Sequence, residues 1–118
     1  METSLMLLPQ AIEALSALAH GHRLAAFRLL VRAGVDGLPA GDIARAVGVL
    51  PNTLSTHLTI LSHAGLVRSR REGRSIIYHA DYDAMRNLLG FLVADCCAGH
   101  PEICAPLAET AQECCPQA

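Results

Sequence analysis

Aromatic residues are scarce in this chain of 118 residues: Trp is absent, and Phe and Tyr together make up 3%. With 52% of the residues hydrophobic, the core has to be aliphatic, built of Leu, Ala, Val and Ile. One domain of this length is large enough to bury such a core. Long apolar runs are missing. Leu5–Leu8 is far too short for a signal sequence or a membrane span, and no basic stretch precedes it. The chain therefore reads as cytoplasmic, with no membrane partner. Lysine is missing as well, so all nine basic residues are Arg. Cysteine is missing before residue 96, and the five that follow are an odd number. Without a secretory signal, that speaks against a disulfide framework and for reduced thiols that bind something or change redox state. No nucleophile–base pair stands at a recognisable catalytic spacing, so the chain does not read as an enzyme.

The net charge of −2 is unevenly spread. Residues 1–44 carry −1 and residues 81–118 carry −5. Residues 45–80 carry +4, with Arg45, Arg68, Arg70, Arg71 and Arg74 against Glu72 alone. An electrostatic footprint for nucleic acid is local, so a mildly acidic total does not exclude one.

Helical periodicity governs the first half. Residues 9–19 form a helix with Ile12, Leu15, Leu18 and Ala19 as its apolar face. Residues 21–33 form a second, with Leu24, Phe27, Leu30 and Val31 inward. Gly34 and Gly37 interrupt, and Leu38-Pro39 leads onward. Residues 40–47 form a short helix with Ile43, Ala44 and Val47 inward, ended by Gly48. From Pro51 to Gly65 the residues Leu54, Leu58 and Leu61 mark one stripe of a helix. Asn52, Thr56, Thr59 and His63 lie opposite, flanked by Thr53 and Ser55. That outer face has no charge but many short hydrogen-bonding groups. It suits the base edges of a DNA major groove, and equally a plain polar surface helix.

The next residues weigh towards DNA. Leu66–Arg70 and Ser75–His79 are β-prone runs around Arg71-Glu72-Gly73-Arg74, a hairpin with Arg at its tip. A helix-turn-helix followed by such a hairpin is a winged helix. Arg71 and Arg74 would contact phosphates or the minor groove, adding affinity more than sequence choice. The fold class is thus mainly α with a small β-hairpin wing. Residues 82–97 return to helical period, with Met85, Leu88, Leu89, Leu92 and Cys96 on one stripe. So short a chain leaves that stripe little of its own to cover. Pairing with a second copy, through the last helix and the first, is the natural use and matches two-fold operator DNA. A winged-helix and dimerisation domain over residues 1–98 is expected, then a Cys-containing, partly flexible tail over residues 99–118. His20, His22, His63 and His79 read as surface, capping or DNA-facing groups rather than ligands.

The segments LAHGHRLAAFRLLV, GDIARAVGV and NTLSTHLTILSHAGLVRSRREGRSIIYH resemble the ArsR-type family of metal- and metalloid-responsive repressors, over about residues 9–95. The resemblance implies a homodimeric winged helix that sits on operator double-stranded DNA and leaves when an inducer binds. It implies DNA contacts at Asn52, Thr53, Ser55, Thr56 and His57 of the recognition helix and at Arg71 and Arg74 of the wing. The family places its sensor sites in several positions. A Cys-x-Cys motif at the start of the recognition helix has no counterpart here, since residues 47–51 hold no Cys. Asp and His pairs on the last helix have none either, since residues 82–95 hold no His. Vicinal Cys at the end of the last helix with a third soon after do match, as Cys96, Cys97 and Cys104.

Three thiolates without a clear hard ligand suit a soft, thiophilic centre. As(III) takes three sulfurs in a pyramid, and Sb(III) behaves alike. Ala98-Gly99 lets the last turn loosen, and Pro101 bends the tail so that Cys104 folds back. Zn(II) or Cd(II) would want a fourth ligand, which His100 or a Cys of the pair Cys114-Cys115 could supply. The leading expectation is a repressor released from DNA by As(III), with Sb(III) second. Alternatives are a Cd/Zn sensor, a thiol-redox or persulfide sensor on the same scaffold, and a metalloid carrier or thiol enzyme, which would leave the winged helix unexplained.

Overall fold

The computed structural model describes residues 7–94. Among these residues are five helices and a small antiparallel sheet: α1 (Leu8–Leu18), α2 (Gly21–Ala33), a 3₁₀ turn (Gly34–Asp36), β1 (Leu38–Pro39), α3 (Ala40–Val47), α4 (Pro51–His63), β2 (Val67–Glu72), β3 (Ser75–Ala80) and α5 (Tyr82–Val93). This is the mainly helical winged fold expected from the sequence. Among the described residues, no helix is long and apolar enough to cross a membrane.

The core lies where α2, α3 and α4 converge under the sheet. Leu30, Ile43, Leu54, Leu58, Leu61 and Leu66 are its large, sealed side chains. Burying each Leu or Ile stabilises by about 1.5–3 kcal/mol, so these few residues hold α4 in place. The stripe read from Leu54, Leu58 and Leu61 is the stripe that is buried.

α1 departs from expectation. Its inner face is Ala11, Ala14 and Ala17, while Ile12 and Leu15 point outward. Three alanines let α1 lie close against α2 and α4, which larger residues would prevent. Leu24, expected inside α2, is exposed too. On α5 the expected stripe divides. Leu88 is buried and Met85 half-buried against the core, whereas Leu89 and Leu92 are exposed. α1 and α5 touch one another, and both carry exposed apolar residues.

The wing is tighter than the sequence suggests. β2 and β3 pair from Val67↔Ala80 to Glu72↔Ser75, so only Gly73-Arg74 form the turn and Arg71 and Glu72 belong to the strand. Gly73 has φ 64°, and among the described residues no non-glycine has positive φ, the pattern of a turn with glycine at its first central position. A third strand was not foreseen. Leu38 and Pro39 pair with Tyr78 and Ile77, placing proline at the sheet edge, where its missing N–H does no harm.

Side chains tie the wing to the helices. Arg70 donates from Nε to Glu72 Oε2 at 2.7 Å, and from its terminal nitrogens to the carbonyls of Val35 (3.0 Å) and Asp36 (2.8 Å). Arg68 Nε donates to Asp81 Oδ2 at 2.7 Å, and Asp81 Oδ1 caps α5 by accepting from the Ala84 N–H at 3.0 Å. Burial raises the Asp81 carboxyl, but the bonds from Arg68 and Ala84 and the charge of Arg68 outweigh it and hold the group below its usual range. Tyr82 Oη donates to the Val31 carbonyl at 2.8 Å, fastening α5 to the last turn of α2.

Candidate nucleic-acid interface

α3 and α4 pack together across the short turn Gly48–Leu50, and α4 presents its uncharged face outward. Asn52, Thr53, Ser55, Thr56 and Thr59 are all exposed on it. Thr59 Oγ1 donates to the Ser55 carbonyl at 2.9 Å, which commits its proton and leaves its lone pairs outward. The others keep both donor and acceptor capacity for a ligand.

The run of arginines divides by role. Arg68 and Arg70 are occupied in holding the wing. Arg71 and Arg74 are exposed and form no salt bridge with any described residue. One stands on β2 and the other in the turn, so two uncommitted guanidinium groups project at the end of the wing.

His57 is a correction. Expected among the DNA-reading residues, it is 8% exposed and lies on the inner side of α4. It follows Leu54 by three positions and precedes Leu61 by four, so helical geometry puts it on the leucine stripe. Its ring packs against two others, with centroids 4.6 Å from His20 and 5.7 Å from His22. Arg23 Nη1 stands 3.5 Å from its Nδ1. Burial first, then the charges of His20, Arg23 and His22, push its pKa below the ordinary value, so the ring is neutral near pH 7. His20 acts as a cap, as expected, accepting from the His22 N–H at Nδ1 (3.1 Å). That His20, His22 and His57 meet was not legible, because 35 or more positions separate the first pair from the third.

Cys96, Cys97 and Cys104 lie outside the described residues, as does the boundary expected near residue 98.

A helix-turn-helix domain family matches residues 18–70. The HTH-type transcriptional regulator YgaV of Escherichia coli K12 is 30% identical over 83 residues, covering 70% of this chain and 82% of that protein. The chain belongs to the HTH-type transcriptional regulators. The nodulation protein NolR of Rhizobium meliloti is 36% identical over 78 residues, or 66% of this chain, and the match spans 62% of that relative's length. The homodimeric winged helix-turn-helix DNA-binding domain of Mb0332 from Mycobacterium bovis, a possible ArsR-family regulator, is 37% identical. It superposes with a TM-score of 0.62, covering 75% of this chain and 81% of that domain. The chain is thus a DNA-binding winged-helix regulator of the ArsR family.

Proposed function

We propose that this ArsR-type regulator is a homodimeric repressor that As(III) releases from operator DNA, with Sb(III) acting alike. The observation that carries the DNA half is the exposed, uncharged face of α4 beside two uncommitted wing arginines. Asn52, Thr53, Ser55 and Thr56 read base edges in the major groove, and Arg71 and Arg74 grip the backbone. The two subunits meet through α1 and α5, whose Leu8, Ile12, Leu15, Leu89 and Leu92 are exposed and apolar. A monomer rarely leaves so many large apolar residues exposed on two helices.

The sensor is Cys96, Cys97 and Cys104, which follow α5 in the chain. Support for it is chemical and sequential: three thiolates within nine positions, none earlier, and no competing carboxylate–histidine set on α5. Ligation draws the three sulfurs onto one centre and reorders the chain just beyond the dimerisation helix. A few kcal/mol of differential affinity between the two states suffices to release DNA.

The test is a Cys104→Ser protein bound to a duplex selected from a random library. The unmutated protein leaves the duplex at micromolar As(III). The variant, left with two thiols, needs at least about tenfold more, equivalent to about 1.4 kcal/mol of lost coupling. Equal sensitivity of the two proteins rejects the three-cysteine site.

A further inference from the structure

A cluster of three imidazoles lies beneath the recognition helix, away from the reading face and upstream of every cysteine. His20 precedes α2, His22 is in its first turn, and His57 comes from the middle of α4. One nitrogen from each ring lies within 4.8 Å of the other two. We propose that His20, His22 and His57 form a site for a borderline divalent transition cation, of the class of Zn(II), Co(II) or Ni(II), which clips the start of α2 to the recognition helix.

The donor set fits that class. Imidazole nitrogen suits borderline cations, and a three-imidazole set with an open position for water is a recurrent one. His20 and His22 are exposed, which leaves the fourth position open on the solvent side. Three nitrogens around a tetrahedral ion at about 2.1 Å stand roughly 3.4 Å apart. The rings therefore have to draw together by about an ångström, which the exposed His22 ring can do by a rotamer change and His20 by giving up its bond from the His22 N–H.

The proton arrangement gives the site a consequence. A coordinated imidazole keeps its proton on the other nitrogen. A cation at Nδ1 of His57 takes the place of Arg23 there. A cation at Nε2 puts a proton on Nδ1, facing the guanidinium. Either way the 3.5 Å contact between Arg23 and His57 ends. Arg23 keeps its other bond, from Nε to the Ala17 carbonyl at 2.6 Å. The cation and Arg23 thus compete for one ring, and that ring sits within two residues of Ser55 and Thr56 on the outer face. This site is separate from the thiols in donor chemistry and in place, and it stands whether or not As(III) is the inducer.

The experiment uses the full chain with C96S, C97S, C104S, C114S and C115S, so that thiolates do not compete. One equivalent of Zn(II) is added and the histidine ring nitrogens are followed by NMR. The rings of His20, His22 and His57 shift together and saturate at one equivalent, while His63, His79 and His100 stay. His22→Gln and His20→Gln each weaken Zn(II) binding by at least about tenfold with helix content unchanged, and His63→Gln does not. Unmoved rings, or a His22→Gln protein that binds Zn(II) as tightly as its parent, overturns the site. Both exposed histidines serve the test even where substitution of buried His57 prevents folding.

Discussion

Gly37→Ala destabilises the domain far more than Gly34→Ala, although the two glycines have nearly the same backbone conformation. Gly34 has φ 78° and ψ −166°, and Gly37 has φ 67° and ψ −167°. Both lie in a region that essentially only glycine occupies, so an added Cβ costs each about 1–3 kcal/mol. The surroundings differ. A Cβ at Gly34 meets nothing within 4 Å. A Cβ at Gly37 falls 2.3 Å from the Tyr78 carbonyl oxygen and 2.9 Å from Ile77 Cγ2. That carbonyl belongs to β3, the central strand of the sheet, and cannot turn aside. Overpacking adds about 1–3 kcal/mol at Gly37 alone. Thermal melts separate the two effects: Gly37→Ala melts about 5 °C or more below Gly34→Ala. Coincident melts show that the close approach of the Gly37 backbone to β3 is not a constraint.

Leu89→Glu breaks the dimer without unfolding the subunit. Leu89 is 53% exposed on α5, so a carboxylate there remains hydrated in an isolated chain. In a dimer built on α1 and α5 the same carboxylate enters an apolar interface without a partner. Sedimentation then gives a monomer, with helix content retained. Affinity for a two-half-site duplex falls by about 10²–10⁴, the advantage that linking two reading heads provides. Affinity for a single half-site hardly changes. A Leu89→Glu protein that is still dimeric and binds the two-half-site duplex at full strength places the interface elsewhere.

The sequence carried the recognition helix and the wing because their signals are local. Leu54, Leu58 and Leu61 recur at helical spacing, and the Arg-Glu-Gly-Arg run announces a turn. Other features depend on what lies across the fold. Ile12 and Leu15 outrank Ala11, Ala14 and Ala17 by hydrophobicity, yet the alanines face inward because α1 packs closely on its own domain. α1 carries apolar residues on both faces, and periodicity alone does not say which is inward. The four wing arginines look equivalent in sequence, and only the carbonyls of Val35 and Asp36 and the carboxylate of Asp81 separate the structural pair from the free one. Those partners are remote in the chain. β1 is two residues long, too short to show any alternation. His57 was legible, since it lies on the leucine stripe. The family resemblance implies a DNA contact there, whereas helical spacing places the residue inward. Its meeting with His20 and His22 needed the packing of α2 on α4.

Release from DNA is the most direct measure of what the protein senses. Fluorescence polarisation of a labelled duplex, held at constant ionic strength, is followed as As(III), Sb(III), Cd(II), Zn(II) and peroxide are added in turn to the reduced, unmutated protein. As(III) and Sb(III) lower the polarisation to that of free DNA at concentrations where Cd(II), Zn(II) and peroxide leave the complex intact. Release by peroxide without arsenic, reversed by a thiol reductant and not matched by As(III), contradicts the metalloid site and makes the same cysteines a redox switch.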